Sequence, residues 1–134
     1  MGNRAVITVG RGLKSDPAIY VHWNGGRASV QGFLDACKEL GFRSPGGDTT
    51  YAMGYLATAI GLYFGSGISF GIGTVGNLDA DNGDNGTYLI GGNWEIVGRK
   101  HSRGIEEIDQ VKTDGICRLI VRKFIAAKEV TDEE

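Results

Sequence analysis

The chain has 134 residues, of which 41% are apolar, enough for one domain spanning 1–134 with a real core. The 14 Lys and Arg against 16 Asp and Glu leave a formal charge of −2. No global field therefore draws in a nucleic-acid polymer or an acidic membrane, and any anion binding must come from local cations.

Arg4-Ala5-Val6-Ile7-Thr8-Val9 is β-rich and predicts a strand, followed by a turn over residues 10–17. Residues 18–23 predict a second strand that can pair with the first as a hairpin. Ser29 is the expected cap of a helix whose Val30, Phe33, Leu34, Cys37 and Leu40 recur at helical spacing, with Gly41 as its stop. Thr49 or Thr50 is expected to cap the next helix, which runs to about Phe64 and is apolar nearly all round. Such a helix is buried on several sides or faces a partner subunit.

Residues 68–74 alternate as a strand, with Ile68, Phe70 and Ile72 on one face and Ser69, Gly71 and Gly73 on the other. Residues 87–90 and 94–99 predict two further strands joined across Gly91-Gly92-Asn93. A short amphipathic piece is expected over 105–111. A last helix, capped by Thr113 or Asp114, places Ile116, Leu119, Ile120 and Phe124 on one face, and residues 130–134 are expected to fray. The pattern predicts an α+β domain: one antiparallel β-sheet with packed helices and a C-terminal helix.

The 23 glycines, against 2 prolines, punctuate these segments rather than forming one low-complexity tract. Cys37 and Cys117 both sit in apolar helical patterns and read as small buried hydrophobes of a reducing compartment. They have no ligand-spaced partners, so neither a metal nor a cofactor is expected. No secretory leader pattern opens the sequence and no apolar run suits a membrane span, which predicts a cytoplasmic protein.

One segment concentrates chemistry. His22, Trp23, Asn24, Gly25, Gly26 and Arg27 put an aromatic face, an amide, a bare backbone turn and a cation at a strand-to-helix junction. Here Trp23 could stack on a base, Asn24 could read polar edges, and the Arg27 fork could meet phosphate in two charge-assisted hydrogen bonds. His22 and Trp23 are expected on opposite faces if the strand continues. The competing explanation is a structural turn with Trp23 in the core. A second corner, Gly91-Gly92-Asn93-Trp94-Glu95, gains a binding role only if it folds beside Arg27; otherwise it is a tight turn with a buried Trp94. Arg99, Lys100, His101 and Arg103 form a cationic strand exit. Its ordinary reading is a solvated face.

Residues 79–86, Asp-Ala-Asp-Asn-Gly-Asp-Asn-Gly, look at first like a calcium loop. No register supplies both the glycine at the sixth position and the glutamate at the twelfth, so a turn-rich connection is expected. The sequence also lacks a Gly-x-Ser-x-Gly elbow, a Walker loop and a His-Glu-x-x-His pair. Gly10-Arg11-Gly12 lacks the third glycine of a dinucleotide fingerprint. These patterns favour a binding protein over an enzyme.

Four stretches carry a resemblance: His22 to Gly26, the Ser29-Val30-x-x-Phe33-Leu34 helix, residues 81–88, and the Trp94-Glu95-Ile96-Val97-Gly98-Arg99 strand. Together they resemble the first family of anti-Thoeris sponge proteins of phages. The resemblance implies a protein acting in an infected bacterial host cell. It would sequester cyclic ADP-ribose signals without cleaving them, with cyclic oligonucleotides at a separate site in some members, and would assemble as dimers or hexamers. It implies Arg27, Asn93, and Arg99 or Arg103 as ligand-binding positions. The leading alternative is a protein-binding inhibitor of a host defence effector, such as an anti-CRISPR.

Overall fold

The computed structural model describes residues 2–65, 69–100 and 108–132. In chain order it contains β1 (Ala5–Thr8), β2 (Pro17–Val21), α1 (Arg27–Glu39), α2 (Thr49–Phe64), β3 (Phe70–Thr74), β4 (Thr87–Ile90), β5 (Ile96–Lys100) and α3 (Gln110–Asp132). Ile68, His101, Arg103 and residues 105–107 lie outside the described residues.

Every residue of β1 is buried, as suits a central strand covered on both faces. The five strands lie in the order β3-β2-β1-β4-β5. Three of the four pairings are antiparallel, as the sequence predicts. The β1–β4 pair is parallel, with Val6 opposite Thr87 and Thr8 opposite Leu89. A parallel pair requires a long crossover, and here the crossover contains β2, both first helices and β3.

One sheet face carries Ala5, Ile7, Ile19, Val21, Tyr88 and Ile90 into a core completed by all three helices. The opposite face holds a small cluster in which Val75, Leu78 and Ala80 pack over Val6, Ala18 and Tyr20. On this face Gly73 lets Leu78 approach closely, since a Cβ there would stand 3.2 Å from it.

The helix starts differ from the sequence expectation, and the caps explain why. α1 begins two residues before Ser29, because Gly26 is extended (φ −66°, ψ 158°) and its carbonyl accepts from the Val30 N–H at 3.0 Å. Ser29 is therefore buried inside the helix. α2 is capped by Asp48, whose carboxylate accepts from the Tyr51 N–H, rather than by either threonine. At α3 the Asp109 carboxylate accepts from the Lys112 N–H at 3.2 Å. Thr113 lies further in and donates to the Ala28 carbonyl at 3.1 Å, pinning α3 to α1. Gly32 lets the two helices approach, since a Cβ there would sit 2.9 Å from Ile116. α3 runs on to Asp132, past the point where fraying is expected.

Candidate functional site

The strand directions decide which predicted residues can meet. Val21 pairs with Ala5, Val6 with Thr87, and Thr87 with Lys100, so the ends of β2 and β5 and the starts of β1 and β4 share one edge of the sheet. His22 to Arg27 lies at this edge, and so does Arg99. The Gly91–Trp94 turn lies at the opposite edge. It meets the far end of α1, where Asn93 and Trp94 line a 380 Å³ depression with Lys38, Phe42 and Ser44. The eleven residue steps from Arg27 to Lys38 alone span about 16 Å of helix. The two glycine corners therefore do not form one pocket within a subunit.

Trp94 is a core residue, 2% exposed, and its indole N–H donates to the Phe42 carbonyl at 3.2 Å. It holds a left-handed backbone (φ 61°), rare for so bulky a side chain and maintained here by the turn. That conformation explains why β5 starts at Ile96 instead of Trp94. At 2% exposed, Trp94 offers almost no ring surface to a ligand even where it lines that depression. Asn93 is exposed but stands beside Trp94, away from Arg27.

At the His22 edge the chain leaves β2 in an irregular turn. The His22 N–H still donates to Ser69 and its carbonyl accepts from Asn3, but Asn24 adopts φ 60°. This breaks the alternation expected for a continuing strand. The His22 and Trp23 rings consequently touch edge to face, 5.1 Å apart. Trp23 is 47% exposed and is not a core residue.

The neighbouring residues face inward. Asn24 donates to Tyr63 at 3.1 Å and Ser29 at 3.3 Å, so its amide ties the turn to α2 and α1 instead of facing outward. Gly25 is buried: its N–H donates to Asn3 at 2.7 Å and its carbonyl accepts from the Tyr88 hydroxyl at 2.8 Å. A Cβ on Gly25 would stand 2.5 Å from the Asn3 oxygen, so this glycine is required for close packing. Gly26 caps α1, and Arg27 is its half-buried first residue.

The partner of this corner is the run over residues 79–86. Its organiser is Asn82, 3% exposed. The Asn82 Oδ1 accepts from the N–H groups of Asp84, Asn85 and Gly86, each at 3.1 Å. Its Nδ2 donates to the carbonyls of Asp79 and Gly86. The turn-rich reading of this run is thus correct, and among the described residues no cluster suited to a metal occurs. Asn85 donates to Asn3 at 2.6 Å and to the Arg4 carbonyl at 2.9 Å. Arg99 in turn donates to both Asn85 oxygens, at 2.9 and 2.7 Å, while its guanidinium lies 4.6 Å from the centre of the Tyr88 ring. Arg99 braces the loop, a role distinct from the solvated face expected of it.

Between the corner and the loop lies a cleft of about 320 Å³ lined by Gly2, Arg4, His22 and Asp84. The Arg4 guanidinium meets Asp84 at 2.9 Å and Asp79 at 3.5 Å. The hydrogen bond that the Arg4 guanidinium donates to the Asp84 carboxylate raises the Arg4 pKa and keeps the cation charged. Tyr20 places its hydroxyl 3.2 Å from His22 Nδ1, and partial burial raises the phenol's pKa. The site offers a cation, a carboxylate, an imidazole, a phenol and an exposed indole. Such a set can stack a planar ring and hydrogen-bond polar edges. Sequence reasoning missed Arg4, Asp84 and Tyr20, because their roles depend on pairing across the whole chain.

The fold and cleft define a single-domain α+β protein with a polar-aromatic site at one edge of a mixed sheet. No family model, curated protein or solved structure matches the chain. Among the described residues no helix is long and apolar enough to cross a membrane.

Proposed function

We propose that this chain is a non-catalytic binding protein that sequesters a cyclic nucleotide signal of the cyclic ADP-ribose type. The observation that carries this reading is the exposed Trp23 ring set against His22, which lines a cleft shared with Arg4 and Asp84. Trp23 stacks on the base, Arg4 and Arg27 supply positive charge for phosphate, and Asp84 and His22 take hydroxyl and base edges. The resemblance to phage anti-Thoeris sponges supports the same reading and adds self-association as a dimer or hexamer. Cyclic oligonucleotides are the second ligand class.

Sequestration needs tight binding and slow release, with no bond broken. Nanomolar affinity corresponds to about 12 kcal/mol. A pre-formed corner reduces the ordering cost that would otherwise be subtracted from it. Many of the contacts holding Asn24, Gly25, Asn82 and Asn85 are internal, so the frame is set before a ligand arrives.

The test is a thermal-shift screen against cyclic ADP-ribose isomers and cyclic di- and trinucleotides. Ligand at 100 times its dissociation constant adds about 2.7 kcal/mol of stability. Heat denaturation should then release the ligand unchanged. Chemically altered ligand would overturn sequestration without cleavage, and no shift with any of these compounds would overturn the ligand class.

A protein-binding inhibitor is the second reading. It is favoured by α2, which has no charged residue and leaves Tyr51, Gly54 and Thr58 exposed. That reading expects a stable complex with a host effector and no shift with nucleotides.

A further inference from the structure

Three asparagines of this chain precede glycine: Asn24, Asn82 and Asn85. An Asn–Gly pair can modify itself, because the glycine nitrogen can reach the asparagine carboxamide carbon with no side chain in the way. The structure treats the three pairs differently. The Gly25 N–H is engaged by the Asn3 carbonyl at 2.7 Å. The Gly86 N–H is engaged by Asn82 Oδ1 at 3.1 Å. Gly83, in a left-handed conformation (φ 76°), has no hydrogen-bond partner for its N–H among the described residues.

The electrophile beside Gly83 is also distinct. Three backbone N–H groups point at Asn82 Oδ1, which is where negative charge develops when a nucleophile attacks the carboxamide carbon. Donors placed in that way stabilise an oxyanion. The departing nitrogen, Nδ2, is held by the Asp79 and Gly86 carbonyls, which can accept from it as it gains a proton.

We propose that Asn82–Gly83 is a self-modification site, at which the folded loop promotes cyclisation of Asn82 to a succinimide. The Gly83 nitrogen loses its proton and bonds to the Asn82 carboxamide carbon. The bond from that carbon to Nδ2 breaks, and Nδ2 leaves as ammonia after taking up a proton. Water then opens the ring at either carbonyl, giving aspartate or isoaspartate. The product replaces the Nδ2 donor with a carboxylate oxygen facing two carbonyls, so the loop that carries Asp84 to the cleft can no longer close in the same way. The fold thereby places a timer on its own polar site.

Peptide mapping by mass spectrometry of the intact protein, held at mildly alkaline pH, tests this directly. Parallel samples in urea give each pair's rate in the unfolded chain. The expected result is conversion of Asn82 about tenfold or more faster than Asn24 and Asn85 in the folded protein, a modest share of what oxyanion donors contribute elsewhere. Its folded rate should also equal or exceed its rate in urea. Folded Asn82 converting more slowly than in urea, or no faster than Asn85, would overturn the proposal. Both readouts use the unmodified chain, so neither depends on a variant that fails to fold.

Discussion

The Tyr88 hydroxyl donates a 2.8 Å hydrogen bond to the Gly25 carbonyl, joining a strand of the second half of the chain to the turn before α1. Both groups are buried. Tyr88→Phe would leave the Gly25 carbonyl without its donor, at a cost of about 1–3 kcal/mol. Denaturant unfolding should show a lower midpoint with an unchanged slope. Affinity for the proposed nucleotide ligand should fall as well, because the turn carrying Trp23 loses its brace.

Asn82 and Asn93 separate a hub from a surface residue of the same type. Asn82→Ala deletes five hydrogen bonds and strands the half-buried Asp84 and buried Gly86 N–H groups, while the Asn85 N–H keeps its bond to the Arg4 carbonyl. The expected loss is several times the roughly 1 kcal/mol net value of one hydrogen bond. Asn93→Ala, at an exposed turn position, should stay within about 0.5 kcal/mol of the parent. Thermal unfolding of the two variants side by side checks the contrast, and equal losses would contradict the hub.

The two tryptophans should divide function from stability. Trp23→Ala removes a half-exposed ring and should leave the melting temperature nearly unchanged, while weakening nucleotide binding by the roughly 1–3 kcal/mol of one base stack. Trp94→Ala should cost about 3–5 kcal/mol of stability, as emptying a core site of a large aromatic does. Calorimetric titration together with unfolding curves distinguishes these effects. A destabilised Trp23→Ala protein would return Trp23 to a structural role.

The cysteines predict alkaline sensitivity. Burial, reinforced by the Glu39 carboxylate 3.2 Å away, pushes the Cys117 thiol from 9.0 up to about 12. Burial likewise raises Cys37. The folded state therefore holds these protons after the unfolded chain has released them. The associated stability is complete below the unfolded value and is lost as pH rises from about 9 toward 12. Unfolding midpoints should fall across that window, and thiol reagents should label both residues slowly until the protein opens. Cys37→Ala with Cys117→Ser should flatten the alkaline limb.

Local physics made much of this fold readable. The 3.6-residue spacing of Val30, Phe33, Leu34 and Cys37 marks α1, and the same residues are buried against the sheet. The glycine stop at Gly41 and the apolar character of α2 are equally local signals. The caps differ from the expected residues because Gly26 acts through its extended backbone, while at α2 the Asp48 carboxylate reaches the Tyr51 N–H one residue ahead of Thr49. The β1–β4 parallel pair and the cleft were not readable at all. Arg4 meets Asp84 across a separation of 80 residues, and no periodicity encodes such a meeting. The His22-to-Arg27 segment was legible as unusual. Its partner was not legible, because Gly91–Trp94 and residues 79–86 are both glycine-rich polar turns and only strand direction tells which edge each one occupies.

The parallel β1–β4 pair has a consequence for how the protein is made. A ribosome delivers β1, β2, α1 and α2 long before β4 emerges, so the first half of the chain must wait with one side of β1 unpaired. Contacts between such distant segments also slow folding after release. Arg4, His22 and Gly25 are among the early residues, yet their partners Asp84 and Tyr88 arrive late. The cleft can therefore appear only once β4 has emerged and paired with β1, and a truncated product would carry half of a polar site with an exposed strand edge prone to aggregation.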